Sequence, residues 1–407
     1  MFLLILLLIT ISSLLLFWTA RRKSNYWKNR GIPGPEPLPI KGNIDLIFGK
    51  NPLSLQLFNW SKIYGRIYGI KHGWNNVLVV SEPKMVKELL VEKFEYFHGR
   101  FLCPIVGDVD TNKFIHLFFA KGKRWKRLRS IANPAFSISN LKRIMPIIED
   151  SIKININLLK EAKSSGKCVD LHEYFVELAF DIIARIAMGQ RDSKQFKSEY
   201  CQIAVDAFAY FERCNTIEEM VLNCVLFLMA GFDTTANTLS LIAHNLVFNP
   251  QVQKRLFEEI EEICGLEEGE MIDYEQLSKL KYMDAVLKET LRLCPIANDV
   301  VNRRCEETTT LGDITIEKGT YVSADLFTLH RDKKVWGEDA EEFKPERWLS
   351  NDNIPTEYYY PFGGGPRICI GMRLAMMDIK MVLVHLLRSF ELERCSETFV
   401  KPNLTGQ

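Results

Sequence analysis

The 407 residues are 47% hydrophobic and 25% charged, the mix of a folded chain with a sizeable core rather than a disordered one. A formal net charge of +1 excludes bulk attraction to nucleic acid or to an acidic partner, so electrostatic recognition is left to local patches. Ten cysteines lie scattered without a C-x-x-C spacing and no H-E-x-x-H occurs, which removes zinc-site and redox-pair readings and fits reduced thiols in a cytosol-facing domain.

Residues 1–20 are almost wholly apolar and run straight into Arg21, Arg22 and Lys23. Twenty helical residues reach about 30 Å, the hydrocarbon thickness of a bilayer. A basic cluster after the apolar run, rather than before it, favours an uncleaved anchor over a cleaved signal peptide and puts the cluster on the cytosolic side. Residues 21–39 read as a basic, proline-rich linker, and 40–407 as one domain. The spacing predicts helices over Asn140–Leu159, Thr216–Phe248, Gln251–Cys264, Tyr282–Leu293 and Arg373–Arg388. Short strands are predicted at Val77–Val80 and Asp313–Ile316. The fold class is therefore mainly α with a small β-sheet region.

Four segments stand out along this frame. Lys121–Arg129 (KGKRWKRLR) is strongly basic and by itself reads as a solvated helix face or an accidental nuclear signal. Ala230–Thr235 (AGFDTT) puts polar residues inside a long apolar helix, though the same residues suit a helix N-cap. Glu289 and Arg292 stand one turn apart on a helix face, by themselves a common surface pair. The most informative segment is Phe362–Gly371, FGGGPRICIG.

There Cys369 sits just before the helix expected from about Met372, whose free N–H groups and dipole favour a thiolate. The preceding glycines let the backbone curl towards a bound group and aim amides at the sulfur. Gly371 removes a side chain where a flat cofactor would lie, Phe362 shields the sulfur from water, and Arg367 neutralises a cofactor carboxylate. No Lys-Ser/Thr pair follows, so this is not a phosphate loop.

Phe362, Gly365, Arg367, Cys369 and Gly371 resemble the F-x-x-G-x-R-x-C-x-G signature of the cytochrome P450 family, and the resemblance runs from the N-terminal apolar segment to near Phe390. It implies the P450 fold preceded by a single N-terminal transmembrane helix. It also implies haem b with an axial thiolate from Cys369, which pushes electron density onto the iron and favours O–O cleavage. On the same resemblance Asp233 and Thr234 form a proton relay, with Gly231 leaving room for dioxygen. Trp125 and Arg129 would bind a haem propionate, with Arg303 and His330 at further matching positions. Glu289 and Arg292 would join Arg347, within Pro345–Trp348, in a buried ionic cluster bracing the cysteine loop.

The activity implied is that of a haem-thiolate monooxygenase inserting one oxygen atom from O2 into a lipophilic small molecule. Electrons would come from NADPH through NADPH–cytochrome P450 reductase, with cytochrome b5 as an optional second donor. The setting implied is the endoplasmic reticulum membrane, with the domain facing the cytosol. The wording is similar to the animal microsomal branch that oxidises drugs and lipids, and the apolar residues of 101–118 and 296–300 are expected to face substrate.

Two departures from the family pattern bear on activity. Only 41 positions (230 − 189) separate Gly189 from Ala230, too few for the helices that roof the family's substrate chamber, so a deletion is expected near 213–216. The chain also ends 38 residues (407 − 369) after Cys369, short of the family's C-terminal hairpin. A catalytically impaired variant, acting at most as a membrane-bound haem-binding or interaction protein, is the alternative these departures raise.

Overall fold

The computed structural model describes residues 2–400 apart from 48, 50–51, 102–108, 113–114, 199–218, 268–269, 350–353 and 355. The expected deletion near 213–216 lies outside the described residues. Longer helices are numbered here; shorter turns are named by their residues.

Helix α1 (Phe2–Ser24) carries Arg21, Arg22 and Lys23 in its last turn. The Lys23 ammonium lies 4.6 Å over the Trp74 ring, between strands β1 (Ile67–His72) and β2 (Asn75–Val80). The expected linker is more than a spacer, because part of it is laid onto β1. Gly69 N–H donates to Pro33 O at 2.8 Å and the buried Trp27 indole donates to Ile70 O at 3.1 Å. A Cβ on Gly34 would stand 2.0 Å from Gly69 O, and one on Gly69 would enter the Trp27 ring, so the approach requires both glycines.

The sheet is assembled from distant pieces. Its order is β1-β2-β6-β3, with β6 (Tyr321–Ala324) parallel to β2 and β3 (Asn302–Arg304) antiparallel to β6. Val77 opposes Tyr321, and Arg303 opposes Val322. A separate hairpin pairs β4 (Thr309–Leu311) with β5 (Ile314–Ile316).

The helical body holds α2 (Leu53–Tyr64), α3 (Gly122–Ala132), α4 (Ile138–Ser164), α5 (Leu171–Met188), α6 (Glu219–Phe248), α7 (Pro250–Cys264), α8 (Tyr274–Lys279), α9 (Lys281–Leu293) and α10 (Met372–Ser389). Each helix predicted from periodicity is present over its described residues, as is the minor sheet; 216–218 of the Thr216–Phe248 prediction lie outside the described residues. Helix α5 was not predicted, although Glu173, Glu177, Asp181 and Arg185 recur every four residues along it; Phe175 and all of Leu178–Ala184 are buried. Asp170 caps its start through His172 N–H, and left-handed Gly189 ends it. One large apolar cluster joins α4–α10, with α10 buried along most of its length. Among the described residues, the stretch long and apolar enough to cross a membrane is Cys224–Phe248, and its contacts with α5, α7, α9 and α10 make it a core helix.

Candidate functional site

The cysteine loop is shaped by close backbone packing. Gly365 has φ +64°, and a Cβ there would meet Leu90 O at 1.9 Å, so only glycine fits that turn. Cys369 N–H donates to Phe362 O at 2.9 Å, and α10 starts at Met372 as expected. Cys369 stays accessible at the surface although protein surrounds it on most sides. Burial pushes its thiol up, while the Gly371 N–H, the Arg129 guanidinium, the Met372 N–H and Arg100 favour the thiolate. A Cβ on Gly371 would meet only ordinary contacts, Phe136 at 3.8 Å and the Cys369 sulfur at 4.0 Å, so no neighbouring protein atom demands glycine there.

Guanidinium groups from three regions converge beside this loop. Arg303 comes from β3, Arg129 from α3 and Arg367 from the loop itself. Sequence reasoning missed a fourth, Arg100. The bridge between Gly99 and Arg304, which has Arg304 N–H donating to Gly99 O at 3.0 Å, lays residue 100 alongside β3. Arg100 donates to Val300 O at 2.5 Å and sits 4.0 Å over the Phe118 ring. Arg367 donates to Phe118 O at 3.2 Å and lies 4.8 Å over the buried Trp125 ring.

None of Arg100, Arg129, Arg303 and Arg367 forms an ion pair among the described residues, and the Nε atoms of Arg100, Arg303 and Arg367 are buried without partners. The nearby carboxylate of Glu306 is engaged by Lys121 at 3.3 Å and Arg304 at 3.5 Å. Burial pushes Arg303 down to about 9, helped by Arg367, and pushes Arg367 down to about 9, helped by Arg100 and Arg129. Such a cluster calls for an anion carrying more than one acceptor oxygen.

The ionic brace forms as expected. Glu289 accepts from Arg292 at 2.8 and 2.9 Å, from Arg347 Nε at 2.8 Å, from the Trp348 indole at 2.9 Å and from Lys344 N–H at 3.0 Å. Arg292 also reaches the carbonyls of His330 and Ala340, at 2.8 and 2.7 Å, with Glu289 and Arg292 fully buried. The expectation for His330 is corrected. Its ring does not join the guanidinium cluster; Nε2 accepts the Tyr360 N–H at 3.0 Å, tying the brace to the start of the cysteine loop. Burial, with Arg292 and Arg331 adding to it, pushes that imidazole down to about 3, and its Nδ1 is buried without a partner among the described residues.

A family model described as cytochrome P450 matches residues 32–211 and 211–407. This chain belongs to the cytochrome P450 family. Cytochrome P450 CYP13A8 of Caenorhabditis elegans is 35% identical over 478 positions, covering 94% of this chain and 93% of that protein. CYP13A5 of the same organism is 36% identical, covering 94% and 92%, and CYP13A10 is 35% identical, covering 98% and 94%. The 478 aligned positions exceed the 407 residues here, so at least 71 (478 − 407) have no counterpart in this P450.

P450 enzymes are haem-thiolate monooxygenases, and the donor set of this P450 fits such a group: a cysteine ahead of a helix start, and unpaired buried guanidiniums for the propionates. The AGFDTT segment lies within α6, which rules out the N-cap alternative. A Cβ on Gly231 would come within 2.8 Å of Ile183 Cδ1, so its missing side chain also serves α5–α6 packing. Burial raises the Asp233 carboxyl, with hydrogen bonding to Asn237 and the nearby His172 opposing the rise. The Thr234 hydroxyl donates to Ala230 O at 2.7 Å. Thr234 lies two turns beyond Phe227, whose ring packs edge-on against Phe136 at 5.7 Å, beside Gly371.

Of the expected substrate-facing residues, Leu102, Ile105, Val106 and Phe114 lie outside the described residues. Phe101 stacks on His72 at 4.7 Å, Leu117 is buried with Trp125, and Phe118 carries Arg100. On α3 the exposed Lys123, Lys126 and Arg127 face away from buried Trp125 and Leu128, so the basic stretch has a solvated face.

Proposed function

We propose that this P450 holds haem b through the Cys369 thiolate and inserts one oxygen atom from O2 into a lipophilic small molecule. The observation that carries this reading is a cluster of four guanidiniums without ion pairs among the described residues, two of which, Arg100 and Arg129, act on a cysteine that receives two helix-start N–H groups. Arg100, Arg129, Arg303 and Arg367 would take the propionates, with Trp125 packed beside them. When bound, the haem iron supplies dioxygen activation, which the thiolate promotes. Burial raises the Asp233 carboxyl, which favours its protonated form, and Thr234 carries the hydroxyl that would pass a proton on. The Glu289–Arg292–Arg347 brace, with His330, keeps the cysteine loop in place.

Electrons would arrive from NADPH through a reductase, with cytochrome b5 as an optional donor, at the exposed basic face of α3. Helix α1, 23 residues with basic residues in its last turn and exposed apolar side chains, is the proposed single-pass anchor in the endoplasmic reticulum membrane.

The family-model match divides at residue 211, and the relatives carry residues absent here, which supports the deletion and with it a second reading. That reading is a P450 that binds haem but turns over poorly because its chamber roof is reduced. Incubating the full chain in reductase-containing microsomes with NADPH, lipophilic substrates and 18O2 separates the two. One labelled oxygen atom per product molecule is expected from the monooxygenase; haem-loaded protein that yields no labelled product establishes the second reading.

A further inference from the structure

Cys168 and Cys395 stand 227 positions apart (395 − 168), so no spacing in the sequence relates them. The fold brings them together. Cys168 lies in the α4–α5 connection, and Cys395 in the segment leaving α10. That segment is docked beside the end of α4: the Lys163 ammonium lies 5.6 Å over the Phe390 ring, and Phe390, Leu392 and Val169 pack on the same core cluster. Leu392 is fastened to α7 by Gln253, which accepts its N–H at 2.8 Å and donates to its carbonyl at 3.1 Å. Both thiols are solvent-exposed, and each lies within electrostatic reach of the other.

We propose that Cys168 and Cys395 form a redox-active pair that closes to a disulfide, stapling the segment after α10 to the α4–α5 connection. The two sulfurs have different roles. Cys395 is held below the usual thiol range by the neighbouring Cys168, the Glu397 N–H and the Thr398 hydroxyl. Cys168 is held above it. The Thr398 hydroxyl, donating to the Cys395 sulfur at 3.7 Å, favours a thiolate there, which makes Cys395 the attacking sulfur and Cys168 the resolving one.

With a low-molecular-weight disulfide such as oxidised glutathione, the Cys395 sulfur attacks one glutathione sulfur and displaces the other as thiolate. Cys168 then attacks the Cys395 sulfur and releases the second glutathione. Two protein thiols are oxidised, one glutathione disulfide is reduced to two thiols, and each protein proton passes to a departing thiolate. The closed loop, 168–395, encloses α5, α6 and the cysteine loop of the haem site, so the staple limits how far these can separate.

The test is non-reducing peptide mapping of the full chain in lipid nanodiscs, equilibrated with graded reduced-to-oxidised glutathione and quenched with an alkylating agent. A linked Cys168–Cys395 peptide is expected to accumulate as the buffer becomes more oxidising. In reduced protein at neutral pH, Cys395 should alkylate severalfold faster than Cys168. Cys168→Ser should slow Cys395 alkylation and trap Cys395 as a mixed disulfide with glutathione. Separate alkylation of both thiols at every ratio, or a mixed disulfide on Cys395 that persists with Cys168 present, would overturn the proposal.

Discussion

Glu289→Gln is expected to destabilise the domain around the cysteine loop strongly. Glutamine keeps the volume and one acceptor but removes the charge facing two buried guanidiniums, Arg292 and Arg347. Breaking a buried pair in this way costs about 3–5 kcal/mol, against a typical total stability of about 5–15 kcal/mol. The Trp348 indole and the Lys344 N–H lose their ionic acceptor in the same step. Urea unfolding followed by tryptophan fluorescence measures the loss, with Trp336 and Trp348 near the network as reporters. An unchanged midpoint would mean that the network is decorative.

Arg303→Met is expected to act with opposite sign on the haem-free and haem-loaded protein. Without an anion, Arg303 is a buried cation beside Arg367, with its Nε unpartnered. Methionine of similar length relieves both costs, and the haem-free protein gains stability, by analogy with buried ions replaced by apolar groups at about 1–4 kcal/mol. With haem bound, a charge-assisted bond worth about 1.5–3 kcal/mol disappears, so affinity falls by roughly tenfold to a hundredfold. Thermal melts of the two forms, together with haem transfer to an apo-acceptor protein, read the two signs separately. A variant destabilised in both states would show that Arg303 serves packing alone.

Local chemistry was the part legible in the sequence. Cys369, Gly365 and the start of α10 fall where the spacing puts them, because a thiolate loop ahead of a helix uses residues adjacent along the chain. The partnership of Glu289 and Arg292 with Arg347 was likewise legible once the Pro345–Trp348 segment was read with them. Contacts set by the sheet were not. Arg100 joins the site only because Gly99 bridges Arg304, and β6 joins β2 across more than half the chain. His330 lay near the right region, but its ring faces the Tyr360 N–H rather than the arginines, a matter of side-chain direction that no motif encodes. Helix α5 escaped notice although Glu173, Glu177, Asp181 and Arg185 fall four apart along it, the spacing of one helix face. The close approach of Gly231 to Ile183 on that same helix was likewise invisible in the sequence.

The most direct test of Cys369 as the axial ligand is the carbon monoxide difference spectrum of the reduced full chain in microsomes. The account predicts a Soret band at the long-wavelength position of a CO–haem–thiolate, and its loss in Cys369→Ser. A band at the position of a neutral-ligand haem, or no haem uptake at all, would contradict it.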